Sequence, residues 1–154
     1  MTPRRCIVGI GQRAAGDDAV GFAVVEELRR RELAAGIELH CLSTPLELVT
    51  FLESSARVVL VDAVLGSPAG HVRTLELRAL ERGGAPASSH GIGVLQALEL
   101  ASALGEATVP TDIRVVGVTV ERPQTYREGL SPPVAAAVST AADRALELLE
   151  NDDA

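Results

Sequence analysis

Three short segments, far apart in the chain, hold residues able to do chemistry. They are Gly9-Ile10-Gly11-Gln12-Arg13-Ala14-Ala15-Gly16-Asp17-Asp18, Val58-Val59-Leu60-Val61-Asp62-Ala63 and Ser88-Ser89-His90-Gly91-Ile92-Gly93. The first two place carboxylates just after a predicted strand, and the third places a histidine at the start of a predicted helix. In an open α/β sheet the carboxyl ends of parallel strands converge on one crevice, where ligands bind. Asp17 or Asp18, Asp62 and His90 would meet there as two carboxylates and an imidazole, the ligand set of a divalent metal site.

Each of these residues also has an ordinary role to set against the chemical one. Aspartate is a favoured helix N-cap whose charge complements the helix dipole, so Asp17 and Asp18 are expected to cap the helix that follows, and one can do so while its neighbour faces the crevice. Asp62 ends an apolar run. A charge there must be solvated in a crevice, paired or metal-bound, because unpaired burial is expensive, unless it only turns the following loop. His90 lies between Pro86-Ala87-Ser88-Ser89 and Gly91-Ile92-Gly93, at the mouth of a helix, whereas His40 in a strand and His71 near a sheet edge read as structural or solvated.

Other chemistries fit less well. Gly9-Ile10-Gly11-Gln12-Arg13-Ala14 has the letters of a dinucleotide fingerprint. Asp17 and Asp18, however, occupy the helix start where pyrophosphate would lie, and His40-Cys41-Leu42-Ser43-Thr44 offers no acid to bind ribose. No Gly-x-Ser-x-Gly elbow, His-Glu-x-x-His pair or Cys-x-x-Cys cluster occurs in the sequence.

The elements that would position these residues follow from hydrophobic period and turn signals. Strands are expected at 5–10, 37–42, 57–62, 71–77 and 112–119, and helices at 19–34, 46–54, 91–104 and 133–150. Segment 57–62 is apolar almost throughout, as in a strand buried on both faces, whereas 71–77 alternates and suits an edge. The order of elements predicts a three-layer α/β/α sandwich around a mostly parallel five-stranded sheet. Residues 1–150 read as one domain and 151–154 as a frayed acidic tail.

Composition sets further bounds. Aromatic residues make up only 2% of the 154-residue chain, against 47% hydrophobic, so the core must be aliphatic. A net charge of -7 opposes nucleic-acid binding, which needs clustered Lys and Arg. Cys6 and Cys41 are too few for a disulfide framework and read as reduced core residues. With no apolar span of membrane length and no apolar region ahead of a cleavage site, the expectation is a soluble, cytoplasmic protein that makes no membrane contact.

Taken in order, Gly9-Ile10-Gly11, Asp17-Asp18-Ala19-Val20-Gly21, Val61-Asp62-Ala63, Ser89-His90-Gly91, Gly117-Val118 and Gly129-Leu130-Ser131-Pro132 cover nearly the whole chain. This series resembles the hydrogenase maturation endopeptidases, which trim the C-terminal extension from the large subunit of nickel–iron hydrogenases. The resemblance implies a mixed five-stranded sheet of order 2-1-3-5-4 with strand 4 antiparallel. It also implies that Asp18, Asp62 and His90 bind metal, with Asp17 as the neighbour of the ligand. The partner implied is the large-subunit precursor, and the metal is nickel already inserted in it, although another divalent ion would suit the same donors. Metal polarisation of the scissile carbonyl or of a water is the chemistry that follows, with Asp62 or Asp18 acting instead as general base as the alternative. A non-catalytic metal-sensing or chaperone-like module of the same fold is the alternative from another class, and a nucleotide-binding enzyme a third. Two departures stand out: Gln12 occupies a position where the family usually has asparagine, and Ser43-Thr44-Pro45-Leu46-Glu47 replaces a loop containing Gly-Thr flanked by further glycine.

Overall fold

The computed structural model describes residues 4–12, 16–44, 47, 57–76, 103, 112–121 and 129–151. Its strands are β1 (Arg5–Ile10), β2 (Ile37–Leu42), β3 (Arg57–Leu65), β4 (Val72–Glu76) and β5 (Asp112–Val120). They form one sheet of order β2-β1-β3-β5-β4. Strands β2, β1, β3 and β5 run parallel, and β4 pairs antiparallel to β5 with Val72 opposite Val118 and Leu75 opposite Val115. This is the mixed α/β sheet expected. The apolar runs of β1 and β3 are buried on both faces, as central parallel strands must be, whereas β2 and β4 are half-exposed edges.

Two helices are described, α1 (Val20–Arg29) and α2 (Pro132–Glu150), and they pack together on one face of the sheet. Val20, Val24, Val25 and Leu28 of α1 point inward, and α2 presents Val134, Ala137, Ala141, Ala145 and Leu149 at helical spacing. All of these except Val25 join Ile7, Val59, Val61, Val116 and Val118 in a core cluster made of Ile, Val, Leu and Ala alone, in agreement with the aromatic-poor composition. Arg31 locks the helix pair from outside, donating to Asp143 Oδ1 at 2.6 Å and to Ser139 Oγ at 3.0 Å. The helices predicted at 46–54 and 91–104 lie outside the described residues. Among the described residues no helix is long and apolar enough to cross a membrane.

Most bounds shift by a single residue at most, and two elements change by more. The helix predicted at 19–34 is instead a 3-10 turn, Gly16–Ala19, followed by α1, which stops at Arg29. At about 2.0 Å per residue in the turn and 1.5 Å in the helix, these segments together rise about 23 Å, close to the about 20 Å of a six-residue strand. Continuing to residue 34 would overshoot the start of β2. The third strand runs on to Leu65, because pairing with β5 continues through Leu65 opposite Val120. The predicted tail begins as an ordered residue: the Asn151 carbonyl accepts from Arg57 Nη1 at 2.9 Å.

Candidate functional site

Strand β1 has neighbours on both sides, and the chain passes first to β2 and then back across to β3. The carboxyl ends of β1 and β3 therefore flank a topological switch point, where a ligand crevice forms in such sheets. Pairing between β1 and β3 ends at Gly9 opposite Val61, which makes Asp62 the first residue of β3 beyond its neighbour's ladder. Asp62 thus lies inside the strand and not at its end, a correction to the expectation. It nevertheless stands at the crevice end of the β1–β3 pair. Its side chain is buried, and Oδ1 accepts the Ala63 backbone N–H at 2.8 Å, which fixes the carboxylate's orientation. Because Val59, Val61 and Ala63 face the helix pair, the alternation of the strand turns Asp62 toward the opposite face.

The 3-10 turn carrying Asp17 and Asp18 packs against β3 at the same end. Two glycines bring it there. A Cβ on Gly11 would strike the Asp18 carbonyl oxygen, so the loop leaving β1 can pass the turn only without a side chain. A Cβ on Gly21 would lie 2.5 Å from the Val61 carbonyl oxygen and 2.7 Å from that of Ile10. These close approaches seat the start of α1 directly on β1 and β3. The Gly-x-Gly pattern, which has the letters of a nucleotide fingerprint, here serves backbone packing.

Neither aspartate caps α1: its N-cap is Ala19, with no side-chain cap bond. Asp17 instead reaches the other helix. Its Oδ1 accepts from the Ser131 backbone N–H at 2.7 Å and its Oδ2 from Ser131 Oγ at 2.8 Å, across 114 positions of sequence. Ser131 is the N-cap of α2, so a buried carboxylate sits at the positive end of a 19-residue helix. Asp17 ties the turn that bears Asp18 to the Gly129-Leu130-Ser131-Pro132 segment. That role was invisible in the sequence, although Ser131 followed by two prolines signals a helix start. Asp17→Ala should cost about 3 kcal/mol, the scale of charge-assisted hydrogen bonds removed from a buried cap, and Asp17→Asn about 1 kcal/mol. Urea unfolding checks this: an Asp17→Ala midpoint equal to the wild type would show that the tie carries no stability.

Of the residues selected from sequence, Asp18 and Asp62 come to the same end of the sheet, and Asp17 is drawn off into a structural role. His90 lies outside the described residues. A shallow groove of about 210 Å³ lined by Ala19, Phe22, Ala23, Glu26, Gly129 and Leu130 leads away from the Asp18 turn along the helix pair.

The comparisons with known proteins identify the family and the fold. The family model for hydrogenase maturation proteases, HycI, matches residues 22–148, a span that takes in Asp62 and His90 and begins just past Asp18. The protein FrxA of Pyrococcus furiosus is 30% identical over 142 residues, covering 87% of this chain and 93% of that protein. The structure of the [NiFe] hydrogenase maturation protease HycI from Thermococcus kodakarensis KOD1 is 28% identical, with a TM-score of 0.69 over 97% of this chain and 94% of that one. The fold is also that of the hydrogenase maturating endopeptidase HybD from E. coli, at 24% identity, a TM-score of 0.78 and coverage of 95% and 91%. This chain belongs to the hydrogenase maturation protease family and is a peptidase.

Proposed function

We propose that this peptidase removes the C-terminal extension from the large-subunit precursor of a nickel–iron hydrogenase after nickel insertion, in the cytoplasm. What supports the reading is membership of the hydrogenase maturation protease family, with Asp18 and Asp62 both lying toward the carboxyl end of the β1–β3 pair. Two carboxylates at one end of a sheet, with His90 as the third donor implied by the sequence, make an oxygen–nitrogen set suited to a borderline divalent ion. Nickel belongs to the substrate in this reading, and its chemistry there is Lewis-acid polarisation of the scissile carbonyl.

The chain's own residues have separate tasks. Asp62, held by the Ala63 N–H, presents an oriented carboxylate from a rigid central strand. Asp18 rides on a turn fixed from three sides, by Gly11, by β3 and by the Asp17–Ser131 tie. Either carboxylate is a suitable general base for the attacking water. Three protein donors leave coordination positions that a metal carried by the substrate already fills with its own ligands, so the site would recognise loaded precursor through a bond that empty precursor lacks.

The test is cleavage of purified precursor, with and without nickel, by the metal-free protein. Processing should be confined to the nickel-loaded form, and short peptides of the cleavage sequence should be inert. Efficient cleavage of nickel-free precursor would overturn recognition through the metal.

A further inference from the structure

Away from the crevice, β1 and β2 bring three potential metal ligands together. Cys6 on β1 pairs with Glu38 on β2, and Val8 pairs with His40, so Cys6, Glu38 and His40 share one face of the edge pair. It is the face turned from α1 and α2, since Ile7 and Leu39, the alternate residues, pack toward the helices. Cys6 Sγ lies 3.8 Å from Glu38 Oε2, and His40 Nε2 lies 3.5 Å from Glu38 Oε1. One donor atom from each residue falls within 4.8 Å of the other two, and among the described residues no other trio of His, Cys, Asp or Glu does so.

From this geometry we infer that Cys6, Glu38 and His40 form a second metal site, for a borderline divalent transition-metal ion such as zinc or nickel. Tetrahedral bonds of 2.0–2.3 Å put neighbouring donor atoms about 3.3–3.8 Å apart, so donors that lie within 4.8 Å of one another need only a small inward movement to share an ion. A thiolate, an imidazole and a carboxylate select zinc, nickel or cobalt over magnesium or calcium. On binding, the Cys6 thiol loses its proton to solvent and the sulfur donates the freed pair to the ion.

Arg4 shapes the site from behind. Its Nε and Nη2 donate to Glu38 Oε2 and Oε1 at 2.7 and 2.8 Å, a bidentate fork that holds the carboxylate in place while each oxygen keeps a second lone pair for the ion. This pairing holds the Glu38 carboxyl at about 2, well below the ordinary range. Cys6 and His40 Nε2 are buried, while the Glu38 and His40 side chains as a whole are about one-third exposed, so the trio lies just beneath the surface of the edge pair. Cys6 lies opposite Val58, four residues or about 13 Å before Asp62 along β3, and His40, level with Val8 and Leu60, stands two residues or about 7 Å before it and two strands away. A bound ion would clamp the edge strand β2 to β1.

Cobalt(II) titration of the full-length protein tests the inference, because a thiolate ligand produces a sulfur-to-cobalt charge-transfer band in the near ultraviolet. The wild type should develop the band at one equivalent and lose it when zinc is added. Cys6→Ser should abolish it, and His40→Gln should weaken cobalt binding at least 10-fold. Cys41→Ser, on the other face of β2, and Asp62→Asn, in the crevice, should both retain it. One equivalent of zinc should raise the melting temperature of the wild type and not of His40→Gln, a readout that survives if Cys6→Ser fails to fold. Absence of the band in the wild type, its persistence in Cys6→Ser, or its loss in Cys41→Ser would overturn the site. Processing activity enters none of these readings, so the inference stands or falls apart from the proposed function.

Discussion

Asp62→Asn should lose at least about 100-fold in precursor processing while remaining as stable as the wild type to within about 1 kcal/mol. The substitution keeps the shape of the side chain and an oxygen able to accept from the Ala63 N–H, the contact that Asp62 Oδ1 makes at 2.8 Å. What it removes is the negative charge at the end of the β1–β3 pair. Electrostatic groups aimed at developing charge or at a metal are worth 10²–10³ in rate when lost, far more than a conservative change in packing. Initial rates of cleavage of nickel-loaded precursor, set beside urea unfolding of the same preparation, separate the two effects. Wild-type cleavage by a folded Asp62→Asn protein would remove Asp62 from the chemistry.

The second large effect is on stability. Gly21→Ala should destabilise the fold by about 3 kcal/mol, at the upper end of overpacking penalties, and lower the melting temperature by about 6–12 °C for a chain of this size. The reason lies in what the new methyl group meets. The Val61 carbonyl oxygen at 2.5 Å, the Ile10 carbonyl oxygen at 2.7 Å and the Ile10 nitrogen at 2.9 Å are all backbone atoms of central strands, and none of them can rotate away. The start of α1 must lift from the sheet and carry the Asp18 turn with it, so processing should fall as well. Gly36→Ala supplies the contrast. Its backbone is left-handed, at φ +88°, but nothing lies within 4 Å of the added Cβ, so it should cost only about 1 kcal/mol. Equal melting temperatures for the two variants would show that the helix–sheet approach is looser than the geometry indicates.

The zinc and cobalt behaviour of the β1–β2 edge bears on how such a protein is handled in the laboratory. Metal added to load the precursor would also reach Cys6, Glu38 and His40. Assays that vary nickel therefore gain from the His40→Gln background, which removes the imidazole of this cluster.

Much of this molecule was legible in the chain. The apolar runs of β1 and β3 announced buried parallel strands because a strand covered on both faces leaves no room for alternation, and the alternation of β4 announced an edge for the converse reason. The inward stripe of α1 followed from its 3.6-residue period. Asp62 was selected because a charge that closes an apolar run must find solvent or a partner, whereas the residues left Asp17 and Asp18 as equal choices and only the family resemblance preferred Asp18. The strand order and the reversed β4 came through family resemblance, since period and composition do not encode which strand lies beside which.

Tertiary structure alone decided the rest. Asp62 looked like the end of a strand, yet pairing with β5 extends β3 by three residues, because a neighbouring ladder outweighs one residue's propensity. Asp17 looked like the cap of the next helix, and its partner proved to be Ser131, 114 residues away, a distance that no local rule spans. Cys6 and His40 read separately as a core thiol and a strand histidine. Only the register that sets Cys6 against Glu38 and Val8 against His40 turns them into one cluster, and register is fixed by the packing of whole strands and not by any spacing within one of them.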